Sequence, residues 1–255
     1  MSRTNPQRLA VLAILLVVVP VFGCRSGRVK EDPILRLAAA ESLAEGKALM
    51  ERGKHVQARK YLVHAFEVEP NSASGREALL LVADSLFEQG GTDNLVQAEA
   101  KYRDFLNRFP TSDRAAYVQY QIGKALGQRV EKPDRDQTVT RQAVEAFREV
   151  QRLFPGTAEA EAAGGQIARL RHLLAEHEVV VAEFYLRYGL PEAAVKRLER
   201  VLDDYPDYPA RDQVYFRLGT ASSVLGQQEE ANEWFARLRD EFPSSELVDD
   251  IPGKG

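Results

Sequence analysis

Cysteine is nearly missing from this chain, with one, Cys24, among 255 residues. That excludes an internal disulfide framework and a cluster of thiolate metal ligands. An apolar run long enough to cross a bilayer is also missing from the N-terminus. Residues 9–19 form an unbroken apolar stretch of only eleven residues, where a spanning helix needs about 20. A basic excess is absent too. The 34 Lys and Arg are outnumbered by 38 Asp and Glu, so the electrostatic footprint of a nucleic-acid binder is not there. With 12 prolines and 17 glycines, the chain is neither collagen-like nor a low-complexity linker. No glycine-rich phosphate loop and no serine or cysteine nucleophile motif occurs. The expectation is a protein without catalytic residues or a cofactor.

What is present begins at the N-terminus. Arg3 and Arg8 are basic, no acid precedes Glu31, and the short apolar run lies between them. This is the layout of a secretory signal, predicted to occupy residues 1–23. Directly after it stands Val21-Phe22-Gly23-Cys24, which resembles a bacterial lipobox with valine where leucine is commonest. The resemblance implies that Cys24 is lipidated and becomes the mature N-terminus. The competing reading is a free thiol. One acyl chain binds a membrane only marginally, and lipoproteins of this type carry three, which predicts a stable anchor. Residue 25 is arginine, not the aspartate that would suggest inner-membrane retention, so the outer membrane is favoured.

From residue 34 the chain reads as helix, with no convincing strand. Alanine followed twelve residues later by proline recurs five times: Ala58/Pro70, Ala98/Pro110, Ala143/Pro155, Ala194/Pro206 and Ala231/Pro243. Four of these prolines follow an aromatic residue. Four and seven residues after each alanine stands a larger, mostly apolar side chain, as in Phe147 and Val150, which is one face of a helix. A small residue precedes each alanine on the helix before: Gly46, Ala83, Gly123, Ala182 and Gly219. Two antiparallel helices approach closely only where such residues lack bulk, and proline cannot continue the second helix. This resembles the tetratricopeptide pattern. The expected fold is all-α, a superhelix of about five helical hairpins, or ten helices. The predicted organisation is a linker over 24–33, repeats over 34–243 ending near 70, 110, 155, 206 and 243, and a tail over 244–255. Three extra residues fall near residues 90–94 and eight within 128–140. The helix over roughly 157–188 is unusually long, with Gly164 and Gly165 expected to weaken its start. Helix caps are expected at Asp32-Pro33, Asn71, Ser112 or Asp113, Thr157 and Pro191.

Metal chemistry finds no footing. His172 and His177 are five apart and do not share a helix face as an i, i+4 pair would, and His55 and His64 have no third ligand near them. All four are read as solvated helix histidines. Asp134, Asp136 and Glu145 imitate a calcium loop, but Val139 stands where the tight turn demands glycine, so a hydrogen-bonded loop with a helix cap is expected. For protein binding, tetratricopeptide geometry places Leu43, Lys47 and Met50 on the face lined by the first helices. Leu43 and Met50 are candidates to accept apolar side chains of an extended peptide, with Lys47 near a carboxylate. The alternative is that Leu43 and Met50 pack between repeats.

One stretch carries a more specific likeness. Asp134-Arg135-Asp136-Gln137-Thr138, then Ala143, Phe147 and Phe154-Pro155, resembles the third repeat of the BamD family of outer-membrane lipoproteins. Leu174-Ala175-Glu176-His177-Glu178, Val181 to Tyr185, Ala193 to Arg197 and Val201 to Pro206 continue the likeness. The resemblance implies a periplasmic subunit of the β-barrel assembly machinery. Such a subunit docks by its C-terminal repeats on the POTRA domains of the barrel subunit BamA. Beside other lipoproteins of the machinery, it receives unfolded outer-membrane proteins at its N-terminal repeats. Arg197 falls at a family position tied to communication with BamA, where a guanidinium can offer a bidentate donor to a partner carboxylate. Its alternative role is a salt bridge within the repeat, to Glu199 or Asp203. A different function for the same architecture would be a repeat lipoprotein that scaffolds peptidoglycan enzymes or a pilus or secretin pore.

Overall fold

A computed structural model describes residues 32–253. The signal segment, Cys24 and most of the linker lie outside the described residues. Among the described residues ten α-helices follow one another: α1 Ala39–Glu51, α2 His55–Val68, α3 Ala73–Gln89, α4 Thr92–Arg108, α5 Ala115–Gly127, α6 Thr138–Leu153, α7 Ala158–Arg187, α8 Pro191–Asp204, α9 Arg211–Val224 and α10 Gln228–Glu241. No strand occurs among the described residues. Each helix packs on the next, giving five antiparallel hairpins in a row. The fold is the all-α stack of helical hairpins expected from the alanine–proline register.

The hairpins close as their composition requires. The second helices end at Val68, Arg108, Leu153, Asp204 and Glu241, in each case two residues before the proline. The residue between holds φ between −139 and −130 and ψ between 52 and 71, outside the helical region. Its own N–H still donates to the carbonyl four residues back, while the following proline disfavours further α conformation. Between the paired helices the turns need left-handed backbone, met by Gly189 (φ 71) and Gly226 (φ 75).

The tight crossings differ in one detail from a glycine–alanine contact. A Cβ at Gly46 would lie 2.6 Å from Leu62 Cδ2, and one at Gly123 or Gly219 would lie 2.6 Å from Phe147 Cε1 or 2.5 Å from Phe235 Cε1. The small residue therefore makes room mainly for the large side chain one turn after the alanine. Burying a Leu or Phe in this way contributes about 1.5–3 kcal/mol each.

Several ends depart from expectation. Asp32 and Pro33 begin a 3-10 turn, Pro33–Arg36, and α1 starts only at Ala39. Ser72, not Asn71, caps α3, its Oγ accepting from Gly75 N–H at 3.0 Å. Ser112 Oγ accepts from Arg114 N–H, ahead of α5, while Thr157 caps α7 and Pro191 opens α8. Helix α7 runs unbroken through Gly164 and Gly165, so these glycines do not interrupt its start. Its 30 residues reach about 45 Å and touch the third and fourth hairpins. Residues after Pro243 fold back: Ile251 is buried with Tyr215, Ala231, Phe235 and Leu238, covering the apolar face that the last hairpin of a repeat stack leaves open.

Candidate partner interface

The face lined by the first helices carries an unexpected polar centre. In α3, Leu79, Leu80, Val82, Ala83 and Leu86 are buried, and so is Asp84. One Asp84 carboxylate oxygen accepts the hydroxyls of Tyr102 (2.7 Å) and Tyr117 (3.0 Å). Gln121 in turn donates to the Tyr117 hydroxyl at 2.7 Å. Burial raises the Asp84 carboxyl above its usual range, and the two tyrosine hydroxyls oppose that rise. Burial first, and the Asp84 charge second, push Tyr117 up to about 12. Asp84 lies at a cavity of about 330 Å³ that also includes Arg76, Glu77, Leu80, Phe105 and Arg114. Arg114 sits 4.7 Å from the centre of the Tyr117 ring, so the site joins two arginines, three carboxylates (Glu77, Asp84 and Asp113) and apolar walls.

Lys47 lies beside this cavity, its Nζ 2.5 Å from Glu77 Oε1, with both side chains exposed. Leu43 is different: only 7% exposed, it belongs to the core with Ala58, Leu62 and Leu79. Met50 is half-buried against the same core. Leu43 thus supports the face from beneath, while Lys47 and the cavity present its chemistry. The cavity was missed because it depends on which side chains of α3, α4 and α5 meet. The available signal was one aspartate inside the apolar run 79–86.

In the fourth hairpin, Arg197 of α8 finds its partner on α7. Its Nη1 donates to Glu178 Oε2 at 2.8 Å, and the other Glu178 oxygen lies 4.0 Å from Arg200 Nη1. The partner is neither Glu199 nor Asp203. Residues two apart on a helix point to different sides, whereas Arg197 flanks Ala194, Leu198 and Val201, which face α7. Glu178 is nearly buried and Arg197 only partly so. The hydrogen bond that Arg197 donates to Glu178 holds the guanidinium above its ordinary value, with a smaller contribution from Tyr185. One carboxylate thus faces two arginines and leaves a surplus positive charge. Nearby at the end of α7, Phe184 and Tyr188 are exposed, with ring centres 4.4 Å apart. Arg217 of α9 pairs with Glu183, tying the fifth hairpin to the fourth.

The histidines are more structural than solvated. His64 is buried, its Nε2 3.1 Å from the Leu37 carbonyl oxygen. His177 Nδ1 lies 2.6 Å from the Pro133 carbonyl oxygen and pins the 128–137 loop to α7. His55 and His172 face Glu88 and Asp207, each at 3.7 Å. In the loop, Asp136 accepts from Thr138 N–H at 2.9 Å, and Gln137 donates to the Lys132 and Arg135 carbonyls. Glu145 lies in α6, paired with Arg148.

Stacked hairpins with a charged, cavity-bearing face and exposed aromatics define a helical-repeat scaffold. The family model described as YfiO, outer membrane lipoprotein, matches residues 37–238, and the chain belongs to that family. It is similar to the outer membrane protein assembly factor BamD of Haemophilus influenzae, at 26% identity over 89% of this chain and 88% of that one. The BamD of Rickettsia prowazekii is 26% identical over 91% of each chain. In shape it is similar to the TPR2AB domain of yeast Sti1, with a TM-score of 0.49, 14% identity, and coverage of 82% of this chain and 80% of that one. No helix among the described residues is long and apolar enough to cross a membrane.

Proposed function

We propose that this protein is an outer membrane protein assembly factor, a lipid-anchored periplasmic scaffold that helps receive and insert β-barrel proteins. The observation that carries the reading is family membership over residues 37–238 together with relatives of that name aligned along nine-tenths of the chain. Lipidation of Cys24 supplies the anchor. Helix α1 begins at Ala39, fifteen residues after Cys24, so at most about 50 Å of chain separates the anchor from the first hairpin.

Docking on the POTRA domains of the barrel subunit BamA belongs to the fourth hairpin. Glu178 holds Arg197 by one nitrogen, leaving the rest of the guanidinium fork and Arg200 for a partner carboxylate. Client segments belong at the other end, along Lys47, Met50 and the neighbouring cavity, with Leu43 as support. Affinity purification from detergent-solubilised envelope, with Arg197→Glu alongside, tests this. Recovery of a POTRA-bearing barrel protein by the wild type, reduced in the variant, is the expected result. Recovery of peptidoglycan enzymes or a secretin instead would replace this function with that of a wall or pilus scaffold.

A further inference from the structure

Phe184 breaks the rule of its own repeat. It stands two residues after the small residue Ala182, where the other four hairpins carry Ala48, Ser85, Ala125 and Ala221. Ser85, Ala125 and Ala221 are fully buried, so packing between hairpins asks for a small side chain at this position. Phe184 is instead half exposed, and Tyr188, one turn further along the same stripe, is 65% exposed. Tyr188 stands where the first three hairpins carry Arg52, Gln89 and Arg129. The two rings lie 4.4 Å apart, and Leu190, also half exposed, follows in the turn to α8. Single exposed apolar residues are ordinary, whereas paired rings with a leucine beside them mark a contact surface.

Charge around the patch defines what fits it. Arg187 lies on the same stripe of α7, is exposed, and forms no ion pair among the described residues. Glu183, the acid one turn before it, is taken by Arg217 of α9. Tyr185 has its ring centre 6.0 Å from that of Phe184, and its side chain helps hold the Arg197 guanidinium. The patch therefore runs into the surface where Arg197 and Arg200 share the single carboxylate of Glu178. Aromatic rings and arginines together are the composition of energetic centres in protein interfaces. We propose that Phe184, Tyr188 and Leu190 are the apolar anchor of the fourth hairpin's docking surface, seating an apolar side chain of a partner segment whose flanking carboxylates reach Arg187 and Arg197. This rests on the docking of that hairpin proposed above and adds a division of labour to it. The rings hold the partner, and the arginines steer and select it.

The test gives the full-length protein the residues that other hairpins carry, Phe184→Ala with Tyr188→Gln, beside Arg197→Glu. The probe is the purified barrel subunit in detergent, with association and dissociation rates measured at low and high salt. The ring variant should bind about tenfold or more weakly, through faster dissociation, equally at both salt concentrations and with an unchanged unfolding midpoint. Arg197→Glu should act most strongly at low salt. Where the double substitution lowers the midpoint, Tyr188→Gln alone, at the more exposed ring, should still weaken binding about threefold. In intact cells, photoreactive benzoylphenylalanine at Leu190 should crosslink to the same subunit, and at exposed Val96 on α4 should not. Ring variants that bind as tightly as wild type while Arg197→Glu loses the subunit would overturn the inference and leave the docking reading standing. An adduct at residue 190 confined to lipid, to a second copy of this chain or to an unfolded client would overturn it as well. A wild type that does not bind the barrel subunit at all would remove the docking reading, and this inference with it.

Discussion

Placing the same small substitution at two helix glycines should give opposite effects. Gly123 in α5 and Gly165 in α7 both sit inside helices, where alanine is favoured over glycine by about 1 kcal/mol. At Gly165 an added Cβ meets nothing within 4 Å. Gly165→Ala should therefore stabilise by up to about 1 kcal/mol. At Gly123 the added Cβ would lie 2.6 Å from Phe147 Cε1 and 2.7 Å from Cδ1, whereas carbon atoms pack at roughly 3.5–4.0 Å. The ring, 1% exposed, must retreat by about 1 Å into a filled core, at a cost of about 1–3 kcal/mol. The helix-propensity gain is common to both sites, so their difference isolates the overpacking. Urea unfolding followed by circular dichroism, with an unchanged m-value, measures it. Phe147→Leu, which with Gly123→Ala recreates the Ala182 and Leu198 pairing of the fourth hairpin, should relieve the clash. The cycle of Gly123→Ala and Phe147→Leu should then show a favourable coupling of at least about 0.5 kcal/mol. If Gly123→Ala raises stability as much as Gly165→Ala, the close-crossing argument is wrong.

Other outcomes follow from the polar centres and the anchor. Because burial raises the folded Asp84 carboxyl, its contribution is fully present below the unfolded carboxyl value of about 4 and is lost as pH rises through the folded value. Asp84→Asn should therefore gain stability relative to wild type as pH rises above about 4, and a difference that does not vary with pH would contradict this. Asp84→Leu should instead orphan the Tyr102 hydroxyl and lose about 1–3 kcal/mol in the same unfolding assay. A double-mutant cycle of Glu178→Gln and Arg197→Leu should give a coupling of about 1 kcal/mol, discounted for the partial exposure of Arg197; additive effects would mean that the pair is not formed in solution. Cys24→Ala should leave the helical signal and unfolding midpoint unchanged and move the protein from the membrane pellet to the soluble fraction; a variant still sedimenting with membranes would rule out the lipobox.

The hairpin stack was legible because two local constraints leave marks in sequence. A close helix crossing demands a small residue at a fixed place, and proline ends the second helix two residues after its last turn. Gly219, Ala231 and Pro243 are enough to place the final hairpin. Contacts between helices were not legible in the same way. Glu178 and Arg197 are 19 residues apart, and only the α7–α8 crossing brings them together, so an acid near in sequence looked like the better partner. Leu43 precedes Gly46 by three positions on one helix face, and apolar character alone does not separate a groove residue from a core residue. The return of residues 244–253 onto α9 and α10 had a weak signal in Leu247, Val248 and Ile251, three apolar residues in an otherwise polar tail.

The central claim is tested most directly by depleting the protein from cells that carry it and following the folding of a newly made outer-membrane β-barrel protein by pulse-chase and heat-modifiable mobility. The account predicts that the folded, membrane-inserted form is lost or delayed on depletion and restored by the wild-type chain. Normal barrel folding in fully depleted cells, with the defect falling on the wall or on pilus secretion instead, would contradict it.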